Sequence, residues 1–185
     1  MIEDKQRWNE RHVKRPMSND ANKTLVKYIE NANIGQALDV ACGTGRNTHF
    51  LCDKGFDVDA VDLSDYALDQ IKNHANINKI ESDLDTYNIT PNKYDLIVNM
   101  NYLNRRLASQ MKDGLKKDGL IVFETFIVAH GEFKMPTTNL DYLLRKNELL
   151  HLFIGLDIIY YEEKIEVNRL GERVKIASLV AKKSQ

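Results

Sequence analysis

Short runs of apolar residues alternate along the chain with segments in which apolar residues recur every three or four positions. Apolar runs and one alternating stretch, at residues 56–61, predict five strands, at residues 37–41, 56–61, 77–82, 94–99 and 120–128. The recurring pattern predicts helices between them, at residues 19–33, 48–54, 64–75, 103–111 and 143–153. Strands that alternate with helices favour an α/β fold with a parallel sheet.

The C-terminal quarter has a different pattern. Residues 156–167 and 174–182 predict two further strands, joined by a turn at residues 168–171. A hairpin after the alternating part adds antiparallel pairing to a three-layer α/β fold. Residues 116–119 are read as a turn, and residues 130–141 as a looser connection.

Composition limits the class of protein. The 185 residues suit one domain, of which residues 1–18 are charged and irregular, with a break at Pro16 and Ser18. A net charge of −1 gives no global attraction for nucleic acid or an anionic membrane. The two cysteines form neither a disulfide framework nor a zinc site. The chain has no apolar run of membrane-spanning length and no apolar leader, so a cytoplasmic protein is expected.

The segment from Asp39 to Asn47 carries the clearest chemical signal. It reads as a buried strand that ends in a glycine turn and opens a helix. Asp62 closes the next strand, about 20 residues on, which is the arrangement of a nucleoside-binding crevice. The turn reads A-C-G-T-G, and Thr48 stands where a dinucleotide fingerprint has its third glycine. This difference favours S-adenosylmethionine over a nicotinamide dinucleotide.

These residues resemble the class I S-adenosylmethionine-dependent methyltransferases, and most closely the small tellurite-resistance-type enzymes. The resemblance covers residues 37–126 and continues more loosely through residues 141–149 to the final hairpin. It implies a Rossmann-like sheet of seven strands with the last strand antiparallel. It also implies methyl transfer from S-adenosylmethionine by in-line displacement.

The resemblance assigns roles around the glycine turn. Gly43 and Gly45 would let the backbone approach the methionine part of the cofactor, where a Cβ would clash. Asp39 would accept a hydrogen bond from the amino group of the cofactor. Asp62 would accept two hydrogen bonds from the ribose hydroxyls.

The adenine end is assigned in the same way. Leu63 would flank the base, Asp83 would accept from its exocyclic amine, and the Leu84 N–H would donate to the ring. The whole set of cofactor residues that the resemblance implies is Arg11, Asp39, Ala41, Cys42, Gly43, Thr44, Gly45, Asn47, Asp62, Leu63, Ser64, Asp83, Leu84, Asn99, Met100 and Asn101.

The main task of the protein is to align the nucleophile, the methyl group and the sulfur, because the cofactor supplies the reactive sulfonium. No cluster of cysteine and histidine points to a metal. If the acceptor must lose a proton, Glu124, His130 and Asp141 are the candidate bases. Each of these has an equally simple structural interpretation, as a buried partner or a loop residue.

The N-terminal segment has two open interpretations. Trp8 and Arg11 lie one helical turn apart, and the matching segment in the family often folds over the cofactor. Residues 1–18 are then a lid, and Arg11 bonds the carboxylate of the cofactor. The alternative is a solvated arm.

The acceptor is the least determined part. A short chain of near-neutral charge favours a small molecule, with Arg145 and Arg169 as contacts for an anion. An RNA, DNA or protein methyltransferase is the alternative, because residues 99–102 echo the Asn-Pro-Pro-Tyr element without its prolines. A non-catalytic cofactor-binding protein is the third possibility. The sequence carries no signal for an oligomeric state.

Overall fold

A computed structural model describes residues 2–15, 17–168 and 170–184. Seven strands form one sheet in the order β3-β2-β1-β4-β5-β7-β6. They are β1 (Gln36–Val40), β2 (Asp57–Asp62), β3 (Ile77–Glu81), β4 (Tyr94–Met100), β5 (Leu115–Phe126), β6 (Asp157–Val167) and β7 (Arg173–Lys182). The first five strands pair in parallel, whereas β7 runs antiparallel between β5 and the edge strand β6. The Rossmann-like fold class with an antiparallel last strand is therefore confirmed.

Helices cover both faces of the sheet. They are α1 (Ile2–Lys14), α2 (Lys23–Tyr28), α3 (Arg46–Asp53), α4 (Asp65–Gln70), α5 (Arg105–Gly114) and α6 (Glu148–Leu152), with single 3₁₀ turns at Ile29–Asn31 and Leu140–Tyr142. Leu25 of α2 and Leu51 of α3 pack in one apolar cluster with β1, β4 and β5. Met111 of α5 and Leu149 of α6 pack in the cluster on the opposite face. No helix of the described residues is long and apolar enough to cross a membrane.

The strand order creates a crevice. From β1 the chain moves to β2 and β3 on one side, and then returns to place β4 and β5 on the other side. The connections after β1 and β4 therefore diverge, and ligands of open α/β sheets bind at this switch point beyond the carboxyl ends. The glycine turn follows β1, and Asn101 follows β4, so both predicted segments border the crevice.

The expectation of an irregular N-terminus is wrong, because residues 2–14 form α1. Glu3 and Asp4 lie in its first turn and His12 and Lys14 in its last, which suits the helix dipole. None of its residues is buried, so the helix depends on polar contacts with the rest of the fold. The predicted break at Pro16 lies outside the described residues.

The predicted turn at residues 116–119 is also wrong. These residues lie within β5, where the pairing with β4 shifts from Tyr94–Leu115 to Leu96–Leu120. Asp118 has a φ of 62°, and its N–H donates to the carbonyl of Lys183 at 2.6 Å. The turn-forming residues are therefore absorbed as a bulge, because the backbone finds partners on a neighbouring segment.

Two predicted helices are shorter than their apolar patterns. Leu144 pairs with the end of β5 instead, since its N–H donates to Phe126 and its carbonyl accepts from Val128. The helix consequently begins only at Glu148. On the other face α4 ends at Gln70, before the predicted Ala75, although Ser64 caps it as expected, with its Oγ accepting from the N–H of Ala67 at 3.0 Å.

We expect Ala41→Gly to stabilise the protein and Ala41→Val to destabilise it. Ala41 begins the glycine turn with a φ of 54°, in the left-handed region that favours glycine and disfavours branched side chains. The expected gain for glycine is about 0.5–1 kcal/mol in the free energy of unfolding, read from urea denaturation. Equal unfolding midpoints for the three proteins would contradict the strain at this residue.

Candidate functional site

The carboxylate of Asp62 joins the two turns of the crevice. It lies at the end of β2 and is 8% exposed. One of its oxygens accepts from the N–H of Gly43 at 2.8 Å, and the other accepts from the N–H of Ser64 at 2.9 Å. A carboxylate oxygen can take more than one hydrogen bond, so both retain accepting capacity for a ligand hydroxyl.

Asp39 is the buried acid beneath the glycine turn. It is 1% exposed, and Thr48 Oγ1 donates to it at 2.7 Å. Burial raises the pKa of Asp39 to about 7, an effect that the hydrogen bond from Thr48 opposes. A carboxylate held in this way gains from a cationic partner, which the ammonium group of a bound amino acid would supply.

The N-terminal segment lies directly over this turn. A Cβ added to Gly43 would stand 2.6 Å from Met17 Sδ and 3.3 Å from His12 Cε1. Gly43 is buried as a result. His12 and Met17 of this segment therefore pack against the glycine turn, and closure of the segment over a bound cofactor stays a prediction.

Polar contacts hold α1 at the crevice. Ser64 Oγ donates to Asn9 Oδ1 at 2.6 Å, and Asn9 Nδ2 donates to Asp65 at 2.7 Å. Lys5 lies within 2.7 Å of Asp65 and 2.6 Å of Glu81. The residues that begin α4 therefore serve both the crevice and the N-terminal helix.

Asn22, which follows the N-terminal segment, is a second point at which this segment is fixed to the fold. The N–H of Asn22 donates to Asn47 Oδ1 at 3.0 Å, and Asn22 Nδ2 donates to Glu124 at 2.6 Å. Asn47 belongs to the first turn of α3, immediately after the glycine turn. Asn22 also caps α2, where its Oδ1 accepts from the N–H groups of Thr24 and Leu25.

Arg11 lies beside Trp8, whereas the next residue, His12, lies at the glycine turn. Its guanidinium lies 5.0 Å from the centroid of the Trp8 ring, and the residue is exposed. His12 lies against the glycine turn, although sequence reasoning assigned it no role. Burial lowers the pKa of His12, the nearby Asp62 opposes this, and Arg11 adds to it. The contact of Arg11 with a cofactor carboxylate stays a prediction.

The carboxyl end of β4 presents an unsatisfied polar atom. Asn99 is fully buried, and its Nδ2 donates to the carbonyl of Tyr102 at 2.8 Å. Its Oδ1 has no hydrogen-bond partner among the described residues. Asn101 has a φ of 60° and donates its N–H to the carbonyl of Glu124. Met100 between them is 6% exposed and packs in the apolar cluster of α2 and α3.

The predicted adenine end is a fixed turn. One oxygen of Asp83 accepts from the N–H of Asp85 at 2.9 Å. The Leu84 carbonyl accepts from Asn104 Nδ2 at 3.3 Å and from Arg106 at 2.8 Å. Leu63, from the neighbouring turn, is half-buried. The turn therefore keeps its shape through contacts with the start of α5.

The remaining turn residues are backbone and packing elements. Cys42 is 2% exposed, and burial raises the pKa of its thiol well above the usual range. Its N–H donates to the carbonyl of Val61 at 3.1 Å, which continues the pairing of β1 with β2. Thr44 is half-buried, and Gly45 has a φ of 82° with no space for a Cβ beside Ile71.

Of the candidate bases, Glu124 is fully engaged. Its carboxylate accepts from three donors, Asn22 Nδ2 at 2.6 Å, Thr24 Oγ1 at 2.8 Å and Ser178 Oγ at 2.5 Å. These contacts support a structural role for it. His130 and Asp141 are exposed in the connection that follows β5.

The chain matches the family model described as "Tellurite resistance protein TehB" over residues 4–179. It belongs to the TehB family. No curated protein gives a significant sequence match.

Solved structures show the same fold. TehB from Haemophilus influenzae is 20% identical, with a TM-score of 0.76 over 95% of this chain and 67% of that chain. An S-adenosylmethionine-dependent methyltransferase from Mesorhizobium loti is 17% identical, with a TM-score of 0.70 over 90% of this chain and 100% of that chain. A Haemonchus contortus phosphoethanolamine N-methyltransferase 2 in complex with S-adenosyl-L-methionine is 15% identical, with a TM-score of 0.70. That match covers 88% of this chain and about half, 51%, of the other.

Family and fold together bear out the prediction of a class I methyltransferase. Solved proteins of this fold include S-adenosylmethionine-dependent methyltransferases, one of them in complex with S-adenosyl-L-methionine. The residues of the crevice fit that group. Asp39 is a buried carboxylate that the cofactor ammonium would stabilise, and Asn99 Oδ1 is a buried acceptor without a donor among the described residues. Which residues bind the cofactor stays a prediction.

We expect Asp39→Asn to stabilise the protein at pH 8, because the charged form is penalised by burial. The gain is on the order of 2 kcal/mol in the free energy of unfolding. It shrinks as the pH falls from 8 to 5, because Asp39 in the fold takes up a proton near pH 7 while the unfolded chain stays ionised to about pH 4. Urea denaturation across this pH range measures it.

Asp59→Asn is the matched control, for which we expect a change of opposite sign in the free energy of unfolding. Burial works against ionisation of Asp59, but donors from Lys93, Asn78 and Tyr94 together lower its pKa. Asp59→Asn should therefore destabilise the protein at pH 8. The same sign for both substitutions would contradict these assignments.

Glu124→Gln should lower the free energy of unfolding by about 1–3 kcal/mol, because an amide NH₂ would face donors that now share two carboxylate oxygens. We also expect the pH profile of kcat to keep its shape. Urea denaturation and steady-state kinetics measure the two effects. Loss of a titrating limb from the profile, with stability unchanged, would show that Glu124 is the base.

Proposed function

We propose that this member of the TehB family transfers the methyl group of S-adenosylmethionine to a small-molecule acceptor. The observation that carries the proposal is a cleft of about 710 Å³ beside the crevice. Its walls come from the start of α5, the segment after β5 and the start of α6. The lining residues are Arg105, Val128, Leu140, Asp141, Arg145, Lys146 and Glu148. Pockets of this volume are typical of small ligands.

The position of the cleft supports this role. Arg105 follows the carboxyl end of β4, and Val128 follows the carboxyl end of β5, so the cleft opens at the same edge of the sheet as the glycine turn. An acceptor bound there would approach the carboxyl end of β4 from the side opposite the glycine turn. Placing two reactants in this way is the main contribution of a protein to a displacement reaction.

The charges in the cleft favour an acceptor with an anionic group. Arg105 is committed to Glu148, with Nε to Oε1 at 2.5 Å, and this pair fixes the floor of the cleft. Arg145 and Lys146 are exposed at its rim, which makes Arg145 the better candidate for a guanidinium–anion contact. The other predicted anion contact, Arg169, lies outside the described residues.

The residues of the crevice have distinct proposed tasks. Asp39 holds the amino group of the cofactor, Asp62 accepts from the ribose hydroxyls, and Asp83 accepts from the adenine amine. S-adenosylmethionine supplies an electrophilic methyl group when it is bound. With Glu124 engaged, an acceptor that needs to lose a proton would give it to His130 or Asp141, or to water.

The contacts of three basic residues favour a small acceptor over a nucleic acid. Arg105 bonds Glu148, and Arg106 donates to the carbonyls of Leu84 and Tyr87 at 2.8 Å and 2.6 Å. Lys116 is likewise paired with Asp95 at 2.7 Å. These cations hold the fold together, which leaves them poorly placed to contact phosphates.

The test is a screen for S-adenosylhomocysteine formation with four classes of acceptor: chalcogen oxyanions, thiols, amines and RNA. The proposal expects turnover with at least one small molecule and none with RNA. Turnover confined to RNA, or cofactor binding without turnover on any class, would contradict it.

Once an anionic acceptor is identified, Arg145→Ala should raise the KM for that acceptor by about tenfold and change kcat less than twofold. The substitution removes a binding contact and leaves the placement of the reacting atoms unchanged. Lys72→Ala is the matched control, since Lys72 is an exposed cation after α4, at the opposite edge of the sheet. Equal kinetics of Arg145→Ala and the control would remove Arg145 from the acceptor site.

A further inference from the structure

The side chain of Met17 occupies the approach to the glycine turn. Its Sδ would stand 2.6 Å from a Cβ on Gly43, closer than any real side-chain contact, so the thioether packs on the glycine itself. Under the proposed function this is the surface that the methionine part of the cofactor must contact. Met17 carries the same two methylenes, sulfur and methyl group as that part of the cofactor.

We propose that Met17 is an internal competitor of S-adenosylmethionine, and that the cofactor binds only after the segment carrying Met17 has moved away. This inference rests on the proposed function, since it assumes that the cofactor uses the glycine turn. The described residues 10–15 and 17–21 are called the strap. The strap connects the two anchors already described, at Asn9 and at Asn22.

The strap is built to move without unfolding the domain. No residue of α1 is buried, and Val13 is 58% exposed. Arg11 and Lys14 are exposed, and Met17 is only half-buried. A segment with few buried apolar contacts opens at a small fraction of the global free energy of unfolding.

The two anchors differ in strength. Asn22 is 9% exposed and is fixed to Asn47 and to the buried Glu124, so the C-terminal anchor belongs to the core. Asn9 is half-buried and meets Ser64 and Asp65 through single hydrogen bonds that water can replace. Lys5 adds ion pairs to Asp65 and Glu81, whose carboxylates are partly exposed. The strap therefore opens by release of Asn9 and Lys5 and pivots at Asn22.

A competing internal group has a definite thermodynamic effect. The apparent affinity for a ligand falls by the fraction of protein that is in the binding-competent state. Truncating Met17 should enlarge that fraction, and so tighten binding of the cofactor. A strap that only clamps the bound cofactor predicts the opposite sign, because truncation would then remove a favourable contact.

The experiment is a titration of the full chain with S-adenosylmethionine, together with stopped-flow binding followed by tryptophan fluorescence. Trp8 is the single tryptophan and lies on α1, the last residues of which belong to the strap, so its emission reports movement of that helix. Met17→Ala should lower Kd by about 3- to 10-fold, mainly through a faster association rate. Met17→Leu, which keeps an apolar side chain of similar volume, should stay within about twofold of the wild type.

Asn9→Ala is the second variant, remote from the glycine turn, and should also speed association. Weaker binding by Met17→Ala, or association rates that match the wild type in both Met17→Ala and Asn9→Ala, would overturn the proposal. Absence of binding by every protein, with native circular dichroism, would instead overturn the cofactor assignment on which it rests. The two failures are therefore distinguishable.

Discussion

The two hydrogen bonds that Asp62 accepts from backbone N–H groups determine the shape of the crevice. One comes from Gly43 after β1 and the other from Ser64 after β2, so a single carboxylate sets the distance between two turns. The Oγ of Ser64 in turn caps α4 and donates to Asn9 of the N-terminal helix. The glycine turn, the start of α4 and the N-terminal helix are therefore all connected to one acidic side chain through hydrogen bonds.

A second group of buried polar residues, around Glu124, connects the core of the sheet to the crevice. Glu124 gathers donors from the segment before α2 and from Ser178 of β7, while Asn22 connects this group to Asn47 beside the glycine turn. Such a network is favourable only while every member is satisfied. The core of the sheet therefore determines where the strap ends, at Asn22.

The crevice also holds costs that folding alone would avoid. Asp39 is buried beside the turn with a pKa raised to about 7, and Asn99 Oδ1 lacks a donor in the described chain. Ala41 adopts a left-handed conformation where glycine would be unstrained. Unsatisfied and strained groups of this kind are expected where a protein is shaped to receive a ligand.

The features that sequence reasoning found are local ones. β1 and β4 are short apolar runs, β2 alternates apolar and acidic residues, and the glycine turn with Asp62 is a motif of fixed spacing, so these features could be read directly from the sequence. The features that sequence reasoning missed depend on contacts with residues far away in the chain. The docking of α1 is a contact with residues more than 50 positions away, and the bulge at residues 116–119 needs the carbonyl of Lys183. Nothing near Glu124 in the sequence indicates that Asn22 and Thr24 would meet it. The positions of His12 and Met17 over Gly43 had no signal in the sequence.

The most direct test of the account is a calorimetric titration of the protein with S-adenosylmethionine, beside Asp62→Ala and the control Asp69→Ala on the exposed face of α4. The account predicts micromolar binding by the wild type and the control, on the order of −7 to −8 kcal/mol. Binding by Asp62→Ala should be at least about tenfold weaker, because the ribose acceptor and the tie between the two turns are both lost. Equal affinities for the three proteins, or binding of nicotinamide dinucleotide instead of S-adenosylmethionine, would contradict it.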